Sequence, residues 1–200
     1  MPDVAILDYG SGNLYSVARA VARVGGEPLV TGEPREVASA DGLVVPGVGH
    51  FGQCVREIRR RRLDTAIRDF AASGRLVVGV CVGMQVLFER SDEDGEPGLG
   101  MLAGDVRRLP ATVKVPHMGW NTVEWRTPHP IIEGIPNGTP FYFVHSYAPE
   151  PVEGTVGVAE HGRPFAAAVA RANVFTTQFH PEKSGEAGLQ IYENVVKALT

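Results

Sequence analysis

Two cysteines, Cys54 and Cys81, are all that the 200-residue chain contains. That is too few for a disulfide framework, and neither lies in a metal-ligand spacing, so a reduced, cytoplasmic setting is expected. There is no excess of positive charge. The 19 Lys and Arg residues against 23 Asp and Glu leave a formal net charge of −4, which provides no field to draw nucleic acid. No apolar run approaches the roughly 20 residues needed to span a bilayer. Met1-Pro2-Asp3-Val4 has no charged stretch ahead of an apolar one, so no signal peptide is expected either. No internal repeat, low-complexity segment or long linker divides the sequence, and one domain over residues 1–200 is expected. The single dense basic run, Arg59 to Arg62, fits the outer face of a helix better than a partner-binding patch.

Short apolar runs suggest buried strands. Val4 to Leu7, Leu29 to Thr31, Leu43 to Val45 and Leu76 to Val80 alternate with helical patterns. One pattern runs through Val17, Ala20, Val21 and Val24 to Gly25-Gly26; the other spans Phe51 to about Ala72 and ends at Gly74. The third of these strands should stop at Pro46-Gly47. Continuous apolar strands separated by helices imply a parallel sheet covered on both faces. The second half predicts strands over 106–109, 122–125, 141–144, 155–159, 165–169 and 174–179 with few helices between them, then a final helix from about Ala187 to Leu199. The fold class is therefore α/β: a central mixed, mostly parallel sheet flanked by helices, with antiparallel additions.

Gly79-Val80-Cys81-Val82-Gly83 follows the fourth strand directly and opens a helix. It is a G-x-C-x-G elbow, the thiol counterpart of the G-x-S-x-G turn. A nucleophile on so sharp a turn sits in a strained backbone conformation, and glycine on either side relieves the crowding. The turn carries Cys81 to the carboxyl end of the sheet and to a helix N-terminus, which favours the thiolate. An isolated cysteine is more simply a small buried residue, and Cys54, without such a setting, is read that way. A thiol nucleophile needs a base. Of six histidines, His180 ends the apolar run Val174 to Phe179 and is followed by Pro181-Glu182, so the proline can stop the strand and let Glu182 orient the imidazole. Spacing alone leaves a capping histidine beside a surface glutamate as the alternative.

The elbow, continued by Met84-Gln85, and His180-Pro181-Glu182 together resemble the class I (triad-type) glutamine amidotransferases, and Pro46-Gly47-Val48-Gly49 resembles their oxyanion strand. The likeness covers nearly the whole chain and implies their flavodoxin-like fold. Four further segments, Asp8 to Leu14, Pro116 to Asn121, Tyr142 to Tyr147 and His180 to Ser184, resemble the branch formed by the glutaminase subunits of imidazole glycerol phosphate synthases. Val82 departs from the more usual leucine. The resemblance implies glutamine as substrate and Cys81, His180 and Glu182 as catalytic triad. It implies an oxyanion hole from the backbone of Val82 and of Val48 or Gly49, and substrate contacts from Gln85, Glu93, Ser146 and Tyr147. It also implies a (β/α)8-barrel cyclase subunit as heterodimeric partner, faced by the Pro/Gly-interrupted loop expected over Pro116 to Asn121, with His117, Met118, Trp120 and Asn121, and by Lys183. No metal or organic cofactor is implied. The alternatives are the glutaminase of another class I amidotransferase, against which the Pro116 to Asn121 motif speaks; a stand-alone cysteine hydrolase, which would not need Gln85 and Glu93; and a non-catalytic binding module.

Overall fold

A computed structural model describes all 200 residues. In chain order the elements are β1 (Asp3–Leu7), α1 (Leu14–Arg23), β2 (Glu27–Thr31), α2 (Pro34–Ser39), β3 (Gly42–Gly47), α3 (Phe51–Arg60), α4 (Leu63–Ala72), β4 (Val77–Cys81) and α5 (Val82–Gln85). There follow β5 (Arg90–Ser91), β6 (Asp105–Arg108), β7 (His117–Trp125), β8 (Thr139–His145), β9 (Tyr147–Pro149), β10 (Thr155–Glu160), β11 (Pro164–Arg171), β12 (Val174–Thr177) and α6 (Gly185–Lys197). A nine-stranded sheet has the order β2-β1-β3-β4-β12-β11-β10-β7-β8, and a small second sheet has the order β5-β6-β9. Pairing is parallel from β2 through β12 and antiparallel beyond it. This is the expected mixed sheet with antiparallel additions.

The residues of β4 are all buried, as are those of β3, because helices cover both faces of the parallel half. Across the antiparallel half the interior is aromatic: Phe141 stacks on Phe179 at 4.1 Å, and Phe143 and Phe165 meet edge to face at 5.7 Å. No helix is long and apolar enough to cross a membrane.

Three local expectations are corrected. β3 does not stop before Pro46 but runs through Gly47, pairing Pro46 with Val80 and Gly47 with Cys81. Its pairing with β1 ends at Val44, so no β1 residue faces Pro46, where proline has no N–H to donate. The helix expected over Phe51 to Ala72 is two helices, broken where Arg62 adopts a left-handed φ of 58°. The Pro116 to Asn121 segment, expected as a loop, is strand beyond Pro116: His117 to Asn121 open β7, paired with β8 from His117↔His145 to Asn121↔Phe141. Only the first half of the basic run lies on a helix: Arg59 and Arg60 end α3, where Arg59 meets Glu96 and Arg60 meets Glu57, each at 2.7 Å, while Arg61 and Arg62 fall in the break.

Candidate active site

Cys81 ends β4 with φ 56° and ψ −115°, and α5 begins at the next residue. That positive φ is the strain the elbow was expected to hold. The flanking glycines are required by space as well. A Cβ on Gly83 would lie 1.8 Å from the Val45 carbonyl oxygen, and one on Gly79 would crowd Thr176 at 3.0 Å. Because β3 and β12 flank β4, with Gly47 beside Cys81 and Thr177 beside Val80, the oxyanion strand and the strand leading to His180 end next to the sulfur. One expectation is reduced: α5 is a single turn of four residues, so little macrodipole acts on the thiol, and the imidazole is the larger counter-charge.

His180 lies just beyond β12 in a 3-10 turn held on both sides. Its N–H donates to the Tyr142 carbonyl at 2.9 Å, and the Ser184 hydroxyl donates to its carbonyl at 2.6 Å. The ring Nδ1 meets Glu182 Oε1 at 2.8 Å, with both side chains almost wholly buried. Asn13 Nδ2 donates to the same carboxylate oxygen at 3.3 Å. The opposite ring nitrogen, Nε2, is buried and unpartnered. Burial opposes charge on this ring, but the Cys81 sulfur and then Glu182 outweigh it and hold the imidazole above its ordinary pKa.

Cys81 and His180 open onto a cavity of about 240 Å³ that is also lined by Val48, Gly49, Val82, Gln85, Glu93, Ser146 and Tyr147. Every residue assigned by resemblance to oxyanion or substrate binding therefore meets at one place. Several of them are already engaged. Glu93 Oε2 accepts the N–H of Phe51 at the start of α3, at 2.7 Å. Gln85 Nε2 donates to the Tyr147 carbonyl at 2.8 Å and to Gln178 Oε1 at 3.0 Å, so the amide braces the cavity wall. Val48 is gripped by Ser11, whose hydroxyl donates to its carbonyl at 2.6 Å and accepts its N–H at 3.3 Å.

Met118 and Trp120 are exposed, at 63% and 59%, and Lys183 reaches over the Tyr142 ring at 5.9 Å, with Trp120 edge-on to the same ring. Asn121 is half-buried and donates to the Glu160 carbonyl. His117, expected on the partner-facing surface, is buried instead, because strand alternation turns it inward against Phe143 and His161. Two residues near the sulfur were missed. Gln178 is fully buried with Nε2 3.8 Å from Cys81 Sγ, and its one signal was a polar residue inside an apolar run. His145 is buried against His117, a contact that strand register alone reveals. No group of three or more His, Cys, Asp or Glu is gathered to hold a metal ion.

Burial pushes the pKa of His117 down to about 4 and that of His145 to about 3, with neighbouring histidines adding to both. The unfolded chain therefore binds more protons than the folded one below the ordinary histidine pKa of about 6.5. Their contribution to stability is complete above that value and is lost as pH falls toward the folded values. Thermal unfolding should show Tm dropping from pH 7 to pH 5, above the carboxylate range, with a shallower slope in His145→Gln. An unchanged slope would mean that these rings do not titrate on unfolding.

The class-I glutamine amidotransferase family model matches residues 5–199 of the chain. Imidazole glycerol phosphate synthase subunit HisH of Moorella thermoacetica is 46% identical over 197 aligned positions, covering 97% of this chain and 94% of the relative. The subunit of the same name from Thermobifida fusca is 48% identical over 210 positions, covering 99% of each. Among solved structures, PurLQS from Thermotoga maritima superposes with a TM-score of 0.80 at 19% identity, covering 100% of this chain and 99% of that one. A crystal structure of a glutamine amidotransferase superposes at 0.77 and 20% identity, covering 98% of each chain. At that identity the two structures speak for the fold.

Proposed function

We propose, from the premise that this chain belongs to the class-I glutamine amidotransferase family, that it is the glutaminase subunit of an imidazole glycerol phosphate synthase. It hydrolyses glutamine to glutamate and ammonia, and the ammonia goes to a synthase subunit. One arrangement carries this conclusion: a strained, buried thiol shares a cavity with an imidazole whose far nitrogen is anchored to a buried carboxylate and whose near nitrogen is unpaired.

Cys81 attacks the side-chain amide carbon of glutamine, and His180 Nε2 takes the thiol proton. Negative charge collects on the amide oxygen, where the Val82 N–H and one N–H from the Val48–Gly49 segment would receive it. Collapse of the tetrahedral adduct breaks the C–N bond, and His180 returns its proton to the departing ammonia. Water, deprotonated by the same imidazole, then opens the thioester to glutamate and restores the thiol. Glu182 keeps Nδ1 protonated and stabilises the imidazolium without taking the proton. Ser146, Tyr147 and Glu93 would hold the α-amino and α-carboxylate groups, with Gln85 fixing the wall behind them.

His180→Ala should cost more turnover than Glu182→Gln, since one residue transfers protons and the other orients it. Both should still bind glutamine. Steady-state glutamate release settles the order, and an active His180→Ala beside an inactive Glu182→Gln would reverse the assigned roles.

The partner is a (β/α)8-barrel cyclase, which joins the ammonia to an aminated ribulosyl phosphate intermediate and yields imidazole glycerol phosphate and aminoimidazole carboxamide ribotide. Its docking face is the exposed surface carrying Met118, Trp120 and Lys183, in a cytoplasmic heterodimer. An aromatic side chain exposed on a sheet face suits an anchor role. Trp120→Ala should weaken association by about 2 kcal/mol or more. An unchanged Kd in a folded variant would reduce Trp120 to a cover over Tyr142.

A further inference from the structure

The buried histidines outside the triad form a chain with one permitted proton order. His145 Nδ1 lies 2.9 Å from the Tyr147 carbonyl, which can only accept, so that nitrogen carries a proton. Deep burial keeps the ring neutral, which leaves Nε2 bare. His117 Nδ1, 3.0 Å away, must then be the donor, and its own Nε2 must accept. Asn121 Nδ2 meets that nitrogen at 3.3 Å. The Asn121 amide cannot be turned round, because its nitrogen also donates to the Glu160 carbonyl at 2.9 Å and its oxygen accepts from the Thr122 N–H at 2.8 Å. The His117 ring is clamped between His161, stacked at 4.2 Å, and Phe143, stacked at 5.0 Å.

The two ends of this chain differ in place. Asn121 stands on β7 next to the exposed Trp120. The Tyr147 carbonyl stands at the cavity wall and also receives Gln85 Nε2, whose second contact, Gln178, reaches Cys81 Sγ. We propose that His145 and His117 are positioning residues for glutamine: their fixed Nδ1–H tautomers form a relay from β7 that pins the Tyr147 carbonyl, and with it Gln85, in the geometry the cavity needs. The relay moves no proton during turnover. It makes the shape of the glutamine cavity depend on the strand that carries the exposed face.

Tautomers can be read directly in the native chain labelled with ¹⁵N at histidine. Both His145 and His117 should show a protonated Nδ1 and a bare Nε2. In His117→Phe, which keeps a stacked ring and removes the donor, His145 should keep its Nδ1–H, because the Tyr147 carbonyl still demands it, but KM for glutamine should rise because the ring is no longer held from β7. Glutamine kinetics in the complex with the synthase subunit separate positioning from packing. His145→Asn keeps an N–H where Nδ1 stood, whereas His145→Gln places its amide where Nε2 stood and leaves the Tyr147 carbonyl without that donor. His145→Gln should raise KM for glutamine about tenfold, the size of one lost hydrogen bond, with kcat little changed. His145→Asn should keep KM near the native value. Equal KM in the two variants, or an Nε2–H tautomer at either native histidine, overturns the proposal. The kinetic comparison rests on the glutaminase function. A native complex that releases no glutamate would overturn that function, and the tautomers would still decide the relay.

Discussion

Replacing Cys81 with serine is expected to abolish glutamate release, by on the order of 10⁴-fold or more, while the complex still makes product from added ammonium. Serine fits the position. Cys81 is buried to 2% exposure, and the hydroxyl is smaller than the thiol, so the elbow and the sheet around it should keep their shape. What changes is acidity. The Cys81 sulfur is part of what holds the His180 imidazole above its ordinary pKa, and a hydroxyl offers no comparable anion at neutral pH. The acceptor chemistry lies in the synthase subunit, so ammonium supplied from solution bypasses the lost step. Two assays decide the matter: glutamate release from glutamine, and product formation from ammonium. Glutamate release that survives in Cys81→Ser would place the nucleophile elsewhere. Loss of the ammonium-driven reaction would mean that this chain takes part in synthesis itself.

The free chain should be a poor glutaminase that the loaded synthase subunit switches on, by roughly 10²–10³-fold, the usual effect of one oxyanion donor. The Ser11 hydroxyl occupies both the carbonyl and the N–H of Val48. In that state the Val48 N–H is not available to an oxyanion. The next residue, Gly49, has φ +89°, with open space where a Cβ would stand. The peptide joining Val48 to Gly49 can therefore rotate with little steric opposition on its Gly49 side, and the partner must favour the rotated state by its differential affinity. Gly49→Pro cannot adopt a positive φ and has no N–H. It should abolish stimulation while the complex still forms. Glutamate release by the free chain, the complex and the complex with nucleotide is the test. Full activity in the free chain would remove the switch and return weight to a stand-alone hydrolase.

The site was more legible than the scaffold that supports it. The elbow could be read because its backbone demands glycine: the Val45 carbonyl leaves no room for a Cβ at Gly83. His180 was legible because Pro181 marks the strand end. The break between α3 and α4 was not, since the left-handed residue there is Arg62, which carries no signal for a positive φ. Pro116 just ahead of β7 and Gly119 within it break the strand pattern, so the segment reads as a loop, and only pairing with β8 reveals the strand. Gln178 and the His117–His145 pair were illegible for a related reason. Their partners lie 28 to 97 residues away in sequence, and local pattern does not encode which strands lie side by side.

β7 also sets the terms on which this surface can diverge. Its side chains alternate: His117 and Val123 are buried, and Met118, Trp120 and Thr122 are exposed. Substitutions at the exposed positions let this chain and its partner drift together while the interior stays constant. Insertions and deletions are a different matter. Losing one residue between Trp120 and Val123, with Val123 kept in the core, would exchange the two faces of the strand before it, sending Trp120 inward and His117 into solvent. Lineages descended from this protein should therefore vary in the letters of this segment but hold its length fixed, even where neighbouring loops grow or shrink.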